Sequence, residues 1–363
     1  MRRGGAVGLL TCLALAACSA TRAAAPSPTA ALTPNPTPGT ATPTPALLHR
    51  APAQRTGTFT IAFAGDVHFE GAIAQHLHAD PATVFGAMIP VLSAADLTIA
   101  NLETAITERG DVQTKQYVFR APASAFDALR ASGIDVVTDA NNHGLDYGQV
   151  GFQDTLAAAK AKGFPVVGSG QDEAAAYSPY LVSLHGWKVA VLGASQVIAP
   201  ELVGDWSAGP AHPGIASAYR VDRLTRAVRE ARRRADVVVV YLHWGEERNP
   251  CPTDRQRTLA RQLVDAGADV VVGSHAHVVQ GSGRMGRAYV AYGLGNFLFY
   301  ATGSGPGTLT SVLTLTMDGR TVRNAVRTPA RLSGGWTTPL HGPAAEREVA
   351  REQALRGCSG LSA

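Results

Sequence analysis

Val270-Val271-Val272-Gly273-Ser274-His275-Ala276-His277 joins a run of β-branched residues to two histidines one residue apart. The run is too short for an independent helix and has no polar alternation. It therefore reads as a strand buried on both faces, with the histidines at its carboxyl end. Four more polar islands interrupt apolar runs in the same manner. Asp66-Val67-His68 follows the run 60–64, and Asn101-Leu102-Glu103 follows 97–100. Asn141-Asn142-His143 follows 134–137, and His243-Trp244-Gly245 follows 237–242. In an open α/β sheet the loops beyond the strand carboxyl ends converge on one crevice, so residues far apart in sequence can meet there. Nitrogen and oxygen ligands of these types suit divalent ions such as Mn, Zn or Fe. Two such ions about 3.5–4 Å apart can clamp a hydrolytic displacement. One His-x-His would be weak evidence. Five islands in order make a two-metal hydrolytic site the expectation.

Between these runs lie helical patterns at 82–92, 123–131, 149–162, 223–235 and 254–266, with Gly133, Gly163 and Gly267 placed as stops beyond three of them. The runs 309–317 and 321–327 flank Asp318-Gly319-Arg320, a hairpin signal, so the interior is mixed rather than purely parallel. The class is α/β.

The order Asp-x-His, acidic bridge, Asn-His, His, Gly-x-His-x-His resembles the calcineurin-like metallophosphoesterases. A closer resemblance is to the CapA family of poly-γ-glutamate capsule synthesis proteins. It rests on Gly65-Asp66-Val67-His68, Asn101-Leu102-Glu103, Asn141-Asn142-His143-Gly144-Leu145-Asp146-Tyr147-Gly148, His243-Trp244-Gly245, Gly273-Ser274-His275-Ala276-His277 and Leu294-Gly295-Asn296-Phe297, and it covers roughly 58–317. The resemblance implies a four-layer sandwich, two mixed sheets face to face with helices outside. It implies that Asp66, His68 and His277 hold a first metal, that Asn142, His243 and His275 hold a second, and that Glu103 bridges them. It also implies that His143 stands over the site to protonate a leaving oxygen or stabilise developing charge. Glu103 departs from the phosphatase pattern, where an Asp one methylene shorter bridges the metals.

Further polar residues sit around these ligands. Asn101 and Asn141 belong to the islands themselves. Asp146 reads as an N-cap for the helix near Gly148 in preference to a ligand. Glu246 or Glu247 either orients a ligand histidine through its second ring nitrogen or is a solvated loop carboxylate. Asn296 either supports the site or satisfies a tight turn. Trp244 reads as core in preference to cleft lining.

Arg2-Arg3, the apolar stretch 4–15 and the box Leu15-Ala16-Ala17-Cys18 read as a lipoprotein signal peptide over 1–17, plain secretion being the alternative. Cys18 then carries the lipid, and the protein is expected outside the cytoplasm, anchored to the cell membrane. Residues 18–57 are mostly Ala, Pro and Thr and form an extended tether. The globular domain is placed at 58–330 and a tail at 331–363. Hydrophobic residues make up 45% of the 363 and charged residues 17%, enough for one large core. The formal net charge of +4 falls to about +2 once Arg2 and Arg3 are removed, which is too small to imply nucleic acid. Arg226, Arg229, Arg232, Arg233 and Arg234, with Glu230 interleaved, read as a solvated helix face. With Cys12 in the leader and Cys18 lipidated, Cys251 and Cys358 are left to pair as a disulfide, free thiols or metal ligation being the alternatives.

Three functions compete. The first is a CapA-like protein in the synthesis, export or attachment of poly-γ-glutamate or a related anionic envelope polymer, working with capsule-synthesis membrane proteins. The second is a general secreted phosphoesterase. The third is a polymer-binding scaffold with a structural metal site. A complete ligand set with a spare His143 argues against the third, because a structural site needs no open position.

Overall fold

The computed structural model describes residues 57–300 and 304–363. The leader 1–17, Cys18 and the tether as far as residue 56 lie outside the described residues. The chain order begins β1 (Phe59–Val67), α1 (Ala72–Ala79), β2 (Leu97–Leu102), α2 (Ser124–Ala131), β3 (Val136–Thr138), α3 (Gly148–Lys162), β4 (Val166–Val167), β5 (Tyr180–Leu184) and β6 (Trp187–Ser195). It continues with α4 (Val221–Arg234), β7 (Val237–His243), α5 (Asp254–Ala266), β8 (Val270–Ser274), β9 (Ser282–Met285), β10 (Ala288–Ala291), β11 (Asn296–Leu298), β12 (Leu309–Asp318), β13 (Thr321–Ser333), β14 (Trp336–Pro339) and α6 (Gly342–Ala354).

One sheet runs β14-β13-β12-β1-β2-β3-β4, with β11 beside the end of β1; the other runs β9-β10-β8-β7-β6-β5. Both are mixed. In the first, β1, β2, β3 and β4 are parallel while β12 is antiparallel to β1. In the second, β6, β7, β8 and β10 are parallel while β5 and β9 are antiparallel edges.

Every residue of β7 is buried, which requires apolar cover on both faces. Alternate side chains divide that work. Val237, Val239 and Tyr241 meet Phe59, Ile61 and Phe63 of β1 in the core between the sheets. Val238, Val240 and Leu242 face outward onto Leu224 and Val228 of α4 and Leu259 and Leu263 of α5. The intervening β1 residues Ala62 and Ala64 join Leu77, Phe126 and Leu129 under the helices of the opposite side. Helices, sheet, sheet, helices is the layer order that the resemblance implies. Each fully buried valine contributes about 1.5–3 kcal/mol, so a polar substitution anywhere in β7 would damage two layers at once.

The helix expected over 82–92 is not continuous. It breaks into two 3-10 turns, Pro81–Thr83 and Gly86–Met88, and one turn of α-helix, Ile89–Leu92. Gly86 at φ 47° and Pro90 explain the interruption. Gly163 and Gly267 close α3 and α5 in the left-handed region, and Gly133 lies at φ 87° just beyond α2. A capping box between Thr253 and Gln256 starts α5.

The boundary placed at 330 falls inside β13, and the segment beyond it is part of the fold. Ala330 and Leu332 are buried, β14 pairs back onto β13, and α6 packs against that strand with Glu348 and Glu352 buried. Glu352 has reason to be there, because it meets Arg327 at 3.1 Å and accepts from Ser311 at 3.1 Å. Cys251 and Cys358 form a disulfide, Cα to Cα 5.7 Å, that ties the last turn of the chain to the loop after β7. No described helix is long and apolar enough to cross a membrane.

Candidate metal centre

The five islands come together at the carboxyl ends of the central strands. Asp66 lies on β1 opposite Asn101 of β2 and Asn296 of β11. A register shift between Phe63 and Asp66 re-aims the end of β1, as bulges beside functional sites do. A Cβ on Gly65 would stand 1.8 Å from the Gly295 carbonyl oxygen, so only glycine allows the two strands to approach this closely. From the second sheet, His243 ends β7 in register with Ser274, and His275 and His277 follow β8. His275 has φ 91° and His277 φ 53°, a conformation that costs non-glycine residues energy and is kept where function demands it.

Glu103 is fully buried, and neither of its carboxylate oxygens has a hydrogen-bond partner among the described residues. Orphaning a buried carboxylate is expensive unless a cation shares it. Two groups of possible ligand atoms, each within 4.8 Å, meet on this residue: Glu103 with His275 and His277, and Glu103 with Asp66 and His243. Nδ1 of His275 is likewise buried without a partner. Orphaned oxygen and nitrogen donors around one shared carboxylate fit divalent metal ions. Asn142 belongs to the same cluster, its Oδ1 lying 2.6 Å from Nε2 of His243.

A second ring of amides fixes these groups. Asn101 donates to Asp66 at 2.8 Å and lies 3.1 Å from Nδ1 of His243. Asn141 donates to Asn101 and to the Leu102 carbonyl, and accepts from the His143 backbone N–H. Asn296 Oδ1 is 2.7 Å from Nδ1 of His277. Outer partners of this kind set the tautomer and orientation of ligand histidines.

Burial, reinforced by Asp66, pushes the Glu103 carboxyl well above its ordinary range. Burial would also raise Asp66, but hydrogen bonding and attraction to His277 bring it below the usual value. Burial would lower His277, yet the carboxylates of Glu103 and Asp66 lift it to about 9. Burial holds His275 at about 3 and His243 well below the normal histidine value. The centre is thus a negative pocket calling for positive charge, which His277 answers when no metal is bound.

His143 does not join either ligand group. Its Nδ1 lies 2.6 Å from Asp146 Oδ2, and its Nε2 faces Glu103 at 3.8 Å. Phe119 stacks on its ring at 4.1 Å. Asp146 is not the N-cap that its position suggests, since Tyr147 occupies the cap of α3 without a side-chain bond. Three donors claim the Asp146 carboxylate: His143, the Phe119 N–H at 2.7 Å and the Lys115 ammonium. That ammonium also reaches the Asn142 carbonyl. No sequence signal marks Lys115, which lies in a stretch with no periodicity.

His68 stands apart from both ligand groups. Its ring nitrogens face the backbone N–H groups of Glu70 at 3.1 Å and Tyr300 at 3.2 Å, and its ring stacks on Phe119 at 4.7 Å. The two groups pair His275 with His277 and Asp66 with His243 on the shared Glu103. Glu246 is exposed and accepts from Asn249, so it is a loop carboxylate and not a partner of His243. Trp244 is wholly buried and donates to the Tyr292 carbonyl at 2.8 Å, a core role.

Residues 60–301 match the family described as bacterial capsule synthesis protein PGA_cap. The PGA biosynthesis protein CapA of Bacillus subtilis (strain 168) is 30% identical over 65% of this chain and 62% of its own length. The capsule biosynthesis protein CapA of Bacillus anthracis is 32% identical over 60% of this chain and 53% of its own. The chain therefore spans between half and two thirds of these relatives. Among solved structures, the sulfate thiohydrolase SoxB of Thermus thermophilus aligns with 84% of this chain and 61% of its own at a TM-score of 0.45 and 15% identity.

Proposed function

Because the chain belongs to the bacterial capsule synthesis protein PGA_cap family, we propose that it serves the synthesis, export or attachment of poly-γ-glutamate or a related anionic envelope polymer, through a dinuclear metal centre of hydrolytic type. The observation that carries this reading is the buried Glu103 carboxylate, without a hydrogen bond among the described residues and common to both ligand groups. Asp66, Glu103, Asn142, His243, His275 and His277 would hold the ions, with Mn, Zn and Fe compatible with these donors. Divalent ions there would supply Lewis-acid activation of the scissile group and of water.

The remaining chemistry falls to the chain itself. Asp146 holds the Nδ1 side of His143, which leaves Nε2 facing the centre to give a proton to a leaving atom or take one from water. Phe119 and its aromatic neighbours cover that imidazole and limit water around it. The same dyad would serve a phosphoester, so a general phosphoesterase is the second reading.

The test is elemental analysis of the purified protein with a parallel screen of γ-glutamyl peptides and phosphoesters. The expected result is about two divalent ions per chain in the wild type and their loss in Glu103→Gln. Stoichiometric metal in Glu103→Gln would overturn the bridging role, and turnover of phosphoesters alone would favour the second reading.

We place the protein outside the cytoplasm, lipid-anchored through Cys18 and near the membrane proteins of capsule synthesis. The leader and the Pro-rich tether support this. Cys18→Ala should move the protein from the membrane to the soluble fraction without altering its melting temperature. Unchanged membrane association would mean that another element anchors it.

A further inference from the structure

A cleft of about 850 Å³ opens onto the metal centre, and Lys115 and Arg248 are the cations of its wall other than histidine among the described residues. Their situations differ. The Lys115 ammonium is committed to Asp146 and the Asn142 carbonyl. Arg248 is exposed, and its guanidinium has no hydrogen bond or ion pair among the described residues. Its backbone is unusual as well. Arg248 lies at φ 61°, in the left-handed region that residues with a Cβ avoid, and its N–H donates to the Ala276 carbonyl at 2.7 Å. Ala276 stands between His275 and His277, so this bond fixes the root of Arg248 against the ligand loop. A strained backbone that points a free cation into a cleft has no stabilising partner to explain it.

Resting on the function proposed above, we propose that Arg248 is the specificity-determining residue that binds an anionic group of the substrate, the paired oxygens of a carboxylate or a phosphate. The planar guanidinium presents parallel donors that match either group, which an ammonium cannot do. Tyr117 and Tyr300, both exposed on the same wall, offer apolar faces to the methylenes of a chain-like ligand. Glu247 lines the wall beside Arg248 and opposes an anion, so its charge sets the strength of the interaction.

Arg248→Gly separates function from stability, because glycine accepts φ 61° and removes the guanidinium. Binding of a γ-linked glutamate hexamer and of inorganic phosphate to the metal-loaded full chain would be measured, together with metal content and melting temperature. In Arg248→Gly the expected result is at least a tenfold loss of affinity, with metal content unchanged and melting temperature unchanged or higher. Arg248→Lys should recover part of that loss, and Glu247→Gln should bind as tightly as wild type or more so.

Loss confined to the hexamer identifies a carboxylate as the group bound, and loss confined to phosphate identifies a phosphoester. Affinity within twofold of wild type for whichever probe the wild type binds, or a lowered melting temperature with affinity intact, overturns the role of Arg248 while leaving the proposed function standing. A wild type that binds neither probe overturns both.

Discussion

The 2.6 Å approach of His143 to Asp146 assigns the tautomer on which the proposed chemistry depends, since a carboxylate accepting from Nδ1 leaves Nε2 free on the side of the centre. His143→Asn keeps a polar group there but no titrating nitrogen. Metal content should stay near normal while turnover falls about 10²–10⁴-fold, the usual contribution of a positioned acid or base. Loss of metal in that variant would make His143 a ligand instead. Asp139 offers a test free of substrate. It is fully buried, Oδ2 accepts from Ser169 at 3.0 Å, Oδ1 has no hydrogen-bond partner among the described residues, and burial pushes its carboxyl up to about 8. The folded state therefore keeps a proton that the unfolded chain releases near pH 4, so stability present below that point drains away as pH rises to about 8. The slope is up to about 1.4 kcal/mol per pH unit. Asp139→Asn should flatten the melting curve between pH 5 and pH 8, and an equally steep dependence in the variant would place the titrating group elsewhere.

Among the elements, those whose cause is local are legible in the sequence. The buried runs of β7 and β8 announce themselves by unbroken valine, and their histidines by position at the run's end. Where a contact comes from elsewhere in the chain, local pattern misleads. Asp146 carries a helix-cap signal, but its oxygens are claimed by Lys115 and Phe119 from a distant loop. The segment after 330 is set apart as a tail by local pattern, yet Arg327 and Ser311 give it partners that no such pattern reveals; only the cysteine count points to its tie to Cys251. The disulfide closes a span of 107 residues and holds the loop from which Arg248 projects. In the chain-entropy view such a bond contributes about 2–4 kcal/mol. The double substitution Cys251→Ser with Cys358→Ser should lower the unfolding free energy by that amount, melt earlier, and lose the sensitivity to reductant expected of the wild type. Equal melting of oxidised wild type and double variant would mean that the β13–β14 hairpin and α6 alone secure the tail.

At the scale of the whole molecule, the centre lies across the two sheets, with Asp66, Glu103 and Asn142 brought by the first and His243, His275 and His277 by the second. A cation held there joins the layers at one end of the core, and without it the buried carboxylates of Asp66 and Glu103 oppose each other, offset by His277 and, for Glu103, by Lys115. Binding to the folded state alone stabilises it by about 4 kcal/mol at a thousandfold excess over the dissociation constant, a melting shift on the order of 10 °C for a domain of this size. Chelation should therefore lower the melting temperature of the wild type by that order, and readdition of the metal should restore it. Glu103→Gln removes one of the two opposing charges, so it should melt above the chelated wild type and respond to neither chelator nor metal. A wild type indifferent to chelation and free of metal on elemental analysis would mean that the pocket is stabilised by its internal charge pairs, His277 with Asp66 and Lys115 and His277 against Glu103, without a metal.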